Sequence, residues 1–312
     1  RWGVLLPRRR RRGEADRLGL LLTAPSLPAM RRSLILLLAT AAAVASSCAA
    51  PDQDTIEFGG ERPTELLVPL GYEPGSPTPL LLSLHGYGSN GDDFARGTGL
   101  LELADSEGFL LLSPDGTPDR LGARFWDATE ACCNFGEDPV DDVAYLTGLV
   151  EDVAEEYSVD RSLVHVVGFS NGAFMAHRLA CERPDLFASI VAVAGSIDPE
   201  RDCSDAGATS VLSMHGTEDQ TINFEGGASY PSAPDTTATW AAELGCEPGA
   251  QGDRLDLDTV ISGSETSVLT HDGCRDGTVV ELWTVEGAGH QIPLPEDFAN
   301  TLWGWLSDHA TG

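Results

Sequence analysis

A serine with glycines two positions to either side, Gly168-Phe169-Ser170-Asn171-Gly172, follows the apolar run Leu163 to Val167 and precedes a helical stretch. A hydroxyl held on a sharp strand-to-helix turn sits in strained backbone, and side chains two residues away would collide there, so Gly168 and Gly172 supply clearance. The helix beginning beside it aims backbone N–H groups and a positive dipole end at the same point. Such a serine can act as a nucleophile if a base deprotonates it and a further group orients the base. The loop after the apolar run Ser210 to Met214 reads His215-Gly216-Thr217-Glu218-Asp219, and the loop after Val279 to Val285 reads Gly287-Ala288-Gly289-His290. Asp219, with Glu218 as its competitor, and His290 fill the two places in the order serine, acid, histidine.

Acyl transfer also needs N–H donors for the oxyanion. His85-Gly86-Tyr87-Gly88 directly follows the run Leu80 to Leu84. The expected donors are Tyr87 N–H, with Gly86 as the alternative, and the N–H of Asn171, the residue after the serine. The other histidines suit quieter roles. His165 lies inside a strand and reads as core, His177 as a helix-surface or packing residue, and His309 as a surface residue at the negative end of the last helix. Gly86-Tyr87-Gly88-Ser89-Asn90-Gly91 matches a dinucleotide-binding pattern, with Asp115 at about the spacing of a ribose-binding acid, but that reading leaves Ser170, Asp219 and His290 unexplained. Asp253, Asp256 and Asp258 lack the order of a calcium loop and read as a solvated loop.

These residues require strands to carry them. Leu80 to Leu84, Phe109 to Leu112, Leu163 to Val167, Ile190 to Val193, Ser210 to Met214 and Val279 to Val285 are mostly continuous apolar runs, as expected of parallel strands buried on both faces. Helices are expected between them: one capped by Asp138 with Val143, Leu146, Val150 and Val153 as its buried stripe, then Asn171 to Cys181, Thr236 to Leu244 and Phe298 to His309. The expected architecture is α/β, a mostly parallel central sheet with helices on both faces in the α/β-hydrolase order, and a single domain over residues 63–312.

Charge excludes several classes of function. The 312 residues carry 19 basic and 49 acidic side chains, a net charge of −30, and all 19 basic residues are Arg. Without Lys there is no Schiff-base or pyridoxal-phosphate chemistry and no P-loop nucleotide hydrolysis. Nine of the Arg precede residue 48, so the remainder holds 10 Arg against 47 acidic residues. Such a body repels nucleic acids and anionic lipid surfaces, and suits neutral or cationic substrates or a salty medium.

Residues 1–29 match no folded pattern and read as an upstream, unstructured segment. From Met30 the chain reads as a secretory signal over residues 30–47: Arg31-Arg32, an apolar stretch from Leu34 to Val44, then small residues running into Cys48. The small residues before Cys48 suit lipidation of that cysteine and a membrane anchor through it; cleavage near Ala49 or Ala50 is the alternative. Arg31-Arg32 leaves twin-arginine export open beside the general route. A polar tether is expected over residues 48–62. Cys132, Cys133, Cys181, Cys203, Cys246 and Cys274 make an even set able to pair in an oxidising compartment, or six buried thiols. Cys246 with Cys274, flanking one excursion, is the favoured pair.

Together the chain resembles the secreted polyhydroxybutyrate depolymerase-like esterases, the group that includes feruloyl and acetylxylan esterases of the carbohydrate esterase type. The resemblance rests on Leu84-His85-Gly86-Tyr87-Gly88, Trp126 ahead of Cys132-Cys133, Val140-Asp141-Asp142-Val143, Gly168 to Gly172, Leu179-Ala180-Cys181, His215 to Asp219 and Gly289-His290. It implies ester hydrolysis through an acyl-enzyme, with Ser170 as nucleophile, His290 as base and then acid, Asp219 orienting it, and no cofactor. His85, Gly86 and Trp126 are expected near the substrate. The chain departs from the family where an aromatic often follows the catalytic histidine, since it has Gln291-Ile292-Pro293. Polymer-degrading members commonly add a binding domain through a linker, for which this chain reads as having no room, so small or oligomeric esters are expected over crystalline polyester. A serine peptidase of the same fold would use the same triad, whereas a non-catalytic, ligand-binding surface lipoprotein would not need it.

Overall fold

All six apolar runs enter one ten-stranded sheet in the computed structural model, which describes residues 57–309 apart from 137, 205, 206 and 208. The expectations for residues 1–29, the signal at 30–47 and lipidation of Cys48 lie outside the described residues. In chain order the elements are β1 (Glu57–Phe58), β2 (Thr64–Leu67), β3 (Thr78–Leu84), α1 (Gly91–Gly97), α2 (Leu100–Glu107), β4 (Leu110–Leu112), β5 (Thr117–Pro118) and β6 (Arg124–Phe125). There follow α3 (Asp142–Glu156), β7 (Val159–Phe169), α4 (Asn171–Glu182), β8 (Ser189–Val193), β9 (Ser210–Gly216), α5 (Ala233–Glu243), β10 (Ala250–Gln251), β11 (Thr266–His271), β12 (Val280–Val285) and α6 (Phe298–Ser307).

The sheet order is β1-β2-β4-β3-β7-β8-β9-β12-β11-β10. Every pairing from β4 to β12 is parallel, and the edges are closed by antiparallel β2 and β1 on one side and β11 and β10 on the other. Alternate side chains of β3 divide between two cores. Leu80, Leu82 and Leu84 pack with residues of α3 and α4, including Leu146, Val150, Phe174 and Leu179. Leu81 faces the opposite layer, where Leu103 of α2 and Leu302 and Trp303 of α6 lie. This period of two follows from the pleat, and helices on both faces explain why the strands read as continuous apolar runs.

Two of the boundaries that differ from expectation have a local cause. The helix expected to be capped by Asp138 starts at Asp142, with the Asp141 carboxylate accepting from Ala144 N at 2.9 Å. Val140 N–H is held instead by Asp127 Oδ2 at 2.8 Å, which keeps the preceding residues out of the helix. The tether expected through Arg62 also ends sooner. Glu57–Phe58 pair with β2, and the Arg62 guanidinium lies 3.6 Å from the centre of the Tyr145 ring.

Cys246 is bonded to Cys274, Cys181 to Cys203 and Cys132 to Cys133. Among the described residues no helix is long and apolar enough to cross a membrane.

Candidate active site

Ser170 lies between β7 and α4 with φ 53° and ψ −116°, a strained conformation for a residue with a side chain. Its N–H donates to Val193 O of β8 at 2.8 Å, fixing the turn to the sheet. The flanking glycines are demanded by close backbone approach: a Cβ at Gly168 would meet the Gly172 carbonyl, and one at Gly172 would meet the Leu84 carbonyl.

The loops after β9 and β12 are fastened to each other. Glu218 N donates to Ala288 O at 2.9 Å and Gly287 N to Thr217 Oγ1 at 2.8 Å. This juxtaposition carries Asp219 Oδ2 to 2.7 Å from His290 Nδ1, and His290 Nε2 to 2.9 Å from Ser170 Oγ. Glu218 points to solvent, while Asp219 is 3% exposed. A carboxylate only accepts, so Nδ1 of neutral His290 carries the proton and Nε2 is left to accept from the Ser170 hydroxyl.

Burial alone would push the Asp219 carboxyl upward. Hydrogen bonds from His215, His290 and the N–H groups of Ile222 and Thr221 outweigh it and hold the group at about 2. The acid is therefore ionised at neutral pH. The ring of Phe169 packs against His290 with centroids 5.1 Å apart.

Behind the turn that follows β3, Trp126 joins three segments. Its indole N–H donates to His85 O at 3.0 Å, its main-chain N–H donates to Asn171 Oδ1 at 2.7 Å, and its carbonyl accepts from Asn171 Nδ2 at 2.9 Å. His85 donates from Nδ1 to Gly86 O at 2.8 Å and accepts Gly116 N–H on Nε2 at 2.9 Å. Burial pushes the His85 imidazole below its ordinary range, against the smaller opposing effect of the Gly86 carbonyl.

A cavity of about 890 Å³ opens beside Ser170 and His290. Phe94 of α1, Phe169, Val193, Ile292, Leu294 and Phe298 give it an apolar wall, and Asp93, Arg96, Gln291 and Glu296 a polar and charged one. Gly86 and Tyr87 also line it, and Tyr87 is 38% exposed, its hydroxyl donating to Asp119 Oδ2 at 2.7 Å. Of the three residues expected near substrate, only Gly86 borders this cavity. His85 and Trp126 are fully buried because their ring nitrogens hold the turn together from behind. Ile292, at the second position after His290, contributes a wall where the resemblance leads one to expect a neighbouring aromatic.

The sequence from residue 67 to 238 matches the family described as Esterase PHB depolymerase. The chain belongs to that family. Its sequence is 30% identical to the NocK protein of Nocardia uniformis subsp. tsuyamanensis over 240 residues, covering 70% of this chain and 68% of NocK. Feruloyl esterase C of Emericella nidulans is 26% identical over 68% of this chain and 75% of its own length. Feruloyl esterase B of Piromyces equi is 23% identical over 71% of this chain, which spans 41% of that longer protein. Among solved structures, the acetyl xylan esterase of Aspergillus awamori superposes with a TM-score of 0.59 at 17% identity, over 81% of this chain and 98% of its own. A Bacillus cereus carboxylesterase gives 0.51 at 17% identity over 78% and 94%. These likenesses show the α/β-hydrolase fold, and membership of the PHB depolymerase esterase family makes the protein a carboxylic-ester hydrolase.

Several site-building residues carry no obvious sequence signal. Nothing in the spacing between Trp126 and Asn171 indicates that one clamps the other. His215 could have been singled out, since a histidine at the buried end of a strand four residues before the acid must find partners. Asp258, read as part of a solvated loop, is buried, and its Oδ1 accepts from Val260 N and Ile261 N. Among the described residues no three or more His, Cys, Asp or Glu side chains converge as metal ligands do.

Proposed function

We propose that the protein is an exported serine esterase working through an acyl-enzyme, with Ser170 as nucleophile, His290 as general base and acid, and Asp219 as the orienting carboxylate. The observation that carries this reading is the unbroken relay in which Ser170 Oγ meets His290 Nε2 and His290 Nδ1 meets Asp219 Oδ2, beside a cavity with an apolar wall. In the first half-reaction Ser170 Oγ bonds to the ester carbonyl carbon while its proton passes to His290 Nε2. The carbon–oxygen bond to the alcohol then breaks and the alcohol takes that proton. Water repeats the sequence: its oxygen bonds to the acyl carbon as His290 takes its proton, the bond from that carbon to Ser170 Oγ breaks to release the acid, and Ser170 Oγ takes the proton back from His290.

The tetrahedral oxyanion is assigned to the N–H of Asn171, in the first turn of α4 where helical N–H groups lack an intrahelical acceptor, and to the N–H of Tyr87, with Gly86 as the alternative. Feruloyl or acetyl esters of polysaccharides and short hydroxyalkanoate oligomers are the proposed substrates. The names of the feruloyl and acetyl xylan esterase relatives support the first two. Action outside the cytoplasm is supported by the signal-like residues 30–47 and by three disulfides, which persist in oxidising compartments.

Hydrolysis of short p-nitrophenyl esters by the wild type and by Ser170→Ala tests the mechanism. The alanine variant should lose at least about 1,000-fold in kcat, and full retention would overturn the assignment. A panel of methyl ferulate, acetylated xylan, 3-hydroxybutyrate oligomers and peptide amides tests the substrate class. Amide cleavage exceeding ester cleavage would make the protein a peptidase instead.

A further inference from the structure

We infer that His215 is a positioning residue for the ester-hydrolysis machinery, acting through Asp219 and never touching substrate. The inference rests on the assignment of Asp219 as the orienting carboxylate. His215 is the penultimate residue of β9 and is 2% exposed, away from the cavity beside Ser170. Its Nε2 lies 2.8 Å from Ile222 O and 3.3 Å from Asp219 Oδ2. A carbonyl oxygen only accepts, so Nε2 carries the proton and offers it to both oxygens at once.

This shared donor ties the two ends of the acid's turn together. Asp219 Oδ1 takes the N–H groups of Thr221 and Ile222 at 2.8 and 2.9 Å, fixing one carboxylate oxygen to the turn's own backbone. Oδ2 is left to face two imidazoles, His290 on the side of Ser170 and His215 behind. His215 therefore sets the rotation of the carboxylate that His290 reads, and holds the Ile222 carbonyl that would otherwise let the turn swing. Two features hold the His215 ring itself. Phe224 meets it edge-on at 5.9 Å between centroids and 80° between planes, and Gly216, the next residue, lies against the Ala288 carbonyl in the His290 loop.

The test compares variants that differ in donor and reach. His215→Phe keeps a ring and removes the donor. His215→Gln places an amide N–H near the position of Nε2. His215→Asn offers the same amide one carbon short. With a short p-nitrophenyl ester, His215→Phe and His215→Asn should lose about 10- to 100-fold in kcat, the scale of one hydrogen bond to a charged group. KM should stay within about twofold, and His215→Gln should regain most of the loss.

In an Asp219→Asn background the His215→Phe change should lower kcat by less than about twofold, because two residues that act through one contact are not additive. An undiminished loss in that background, or a glutamine variant as impaired as the asparagine one, would overturn the inference. If His215→Phe does not fold, the glutamine and asparagine pair decides the question, with the asparagine variant carried into the Asp219→Asn background. Ser170→Ala, run alongside, separates the two levels: activity surviving there sinks the hydrolase assignment itself, whereas its loss leaves the His215 comparison to stand or fall alone.

Discussion

The side-chain amide of Asn171 is paired in both directions with the main chain of Trp126, accepting its N–H at 2.7 Å and donating to its carbonyl at 2.9 Å. Asn171 thus has two separable parts. Its backbone N–H is the proposed oxyanion donor, while its side chain, 0% exposed, locks helix α4 to the segment whose indole holds His85 O. Asn171→Ala keeps the backbone donor and removes only the clamp. We expect kcat on short esters to fall on the order of 100-fold, as a shift of about 1 Å in a positioning element does. Stability should fall by about 2 to 3 kcal/mol, since two buried main-chain groups lose their partners. A variant with full kcat would show that the clamp does not position the oxyanion donors.

Two buried histidines make the fold acid-sensitive. Burial pushes His165 down to about 4 and His177 down to about 3. Both are neutral in the folded protein and bind protons near pH 6.5 once unfolded. The unfolded state therefore binds more protons between these values, and stability falls as pH drops from about 6.5 to about 4, by up to about 1.4 kcal/mol per pH unit for each group. Asp219 adds to the loss only below about pH 4, because its folded value is about 2. Denaturant midpoints measured from pH 7 to 4 should show this slope, and His177→Phe should flatten it even while lowering stability throughout through the loss of an acceptor for Trp240 Nε1. An unchanged slope would mean that His177 is not the group being titrated.

The disulfides bear on stability rather than chemistry. Cys181–Cys203 and Cys246–Cys274 close loops of sequence separation 22 and 28. Each constrains the unfolded chain by about 3 kcal/mol in the loop-entropy account. Replacing Cys246 and Cys274 together by Ser should lower the unfolding free energy by about 2 to 4 kcal/mol. The kcat/KM for short esters at 25 °C should not change, since neither residue borders the cavity beside Ser170. A parallel loss of activity in the folded variant would show that this loop reaches the site.

What the sequence conveyed and what it did not divide along a physical line. Parallel strands buried on both faces must be continuously apolar, and a serine on a strained turn must have glycine neighbours, so β3, β7, β9, β12 and the Ser170 turn announce themselves. The antiparallel edges do not: Thr266–His271 is only half-buried, and Glu57–Phe58 is two residues long. Helix α1 escapes for a related reason, being seven residues with glycine at either end. The clamp of Trp126 by Asn171 spans 45 residues and uses main-chain atoms, which every residue has, so composition could not reveal it. Trp126 consequently read as a pocket residue although it is fully buried.

The same difficulty hides the role of Arg62, which sequence placed in a tether. Its Nη1 lies 2.7 Å from Asp142 Oδ1, and Asp142, with no exposed surface, uses its other oxygen to hold Asp127 N–H at 2.7 Å. Asp127 follows Trp126, so the ion pair anchors the segment on which the Asn171 clamp closes. Burial pushes the Asp142 carboxyl above its ordinary range, opposed by the Asp127 N–H and by the Arg62 charge. Removing the arginine leaves a desolvated carboxylate without its counter-charge, so Arg62→Met should destabilise the protein by about 3 kcal/mol or more at pH 7. The sign with pH follows: the unfolded carboxyl ionises first, so the penalty grows as pH rises above about 4 and is relieved in acid. In an Asp142→Asn background, where no charge is stranded, Arg62→Met should cost much less. Chemical denaturation of the four proteins at pH 7 gives the coupling directly, and equal effects of Arg62→Met in both backgrounds would mean that the arginine acts through its stacking on Tyr145 instead of through Asp142.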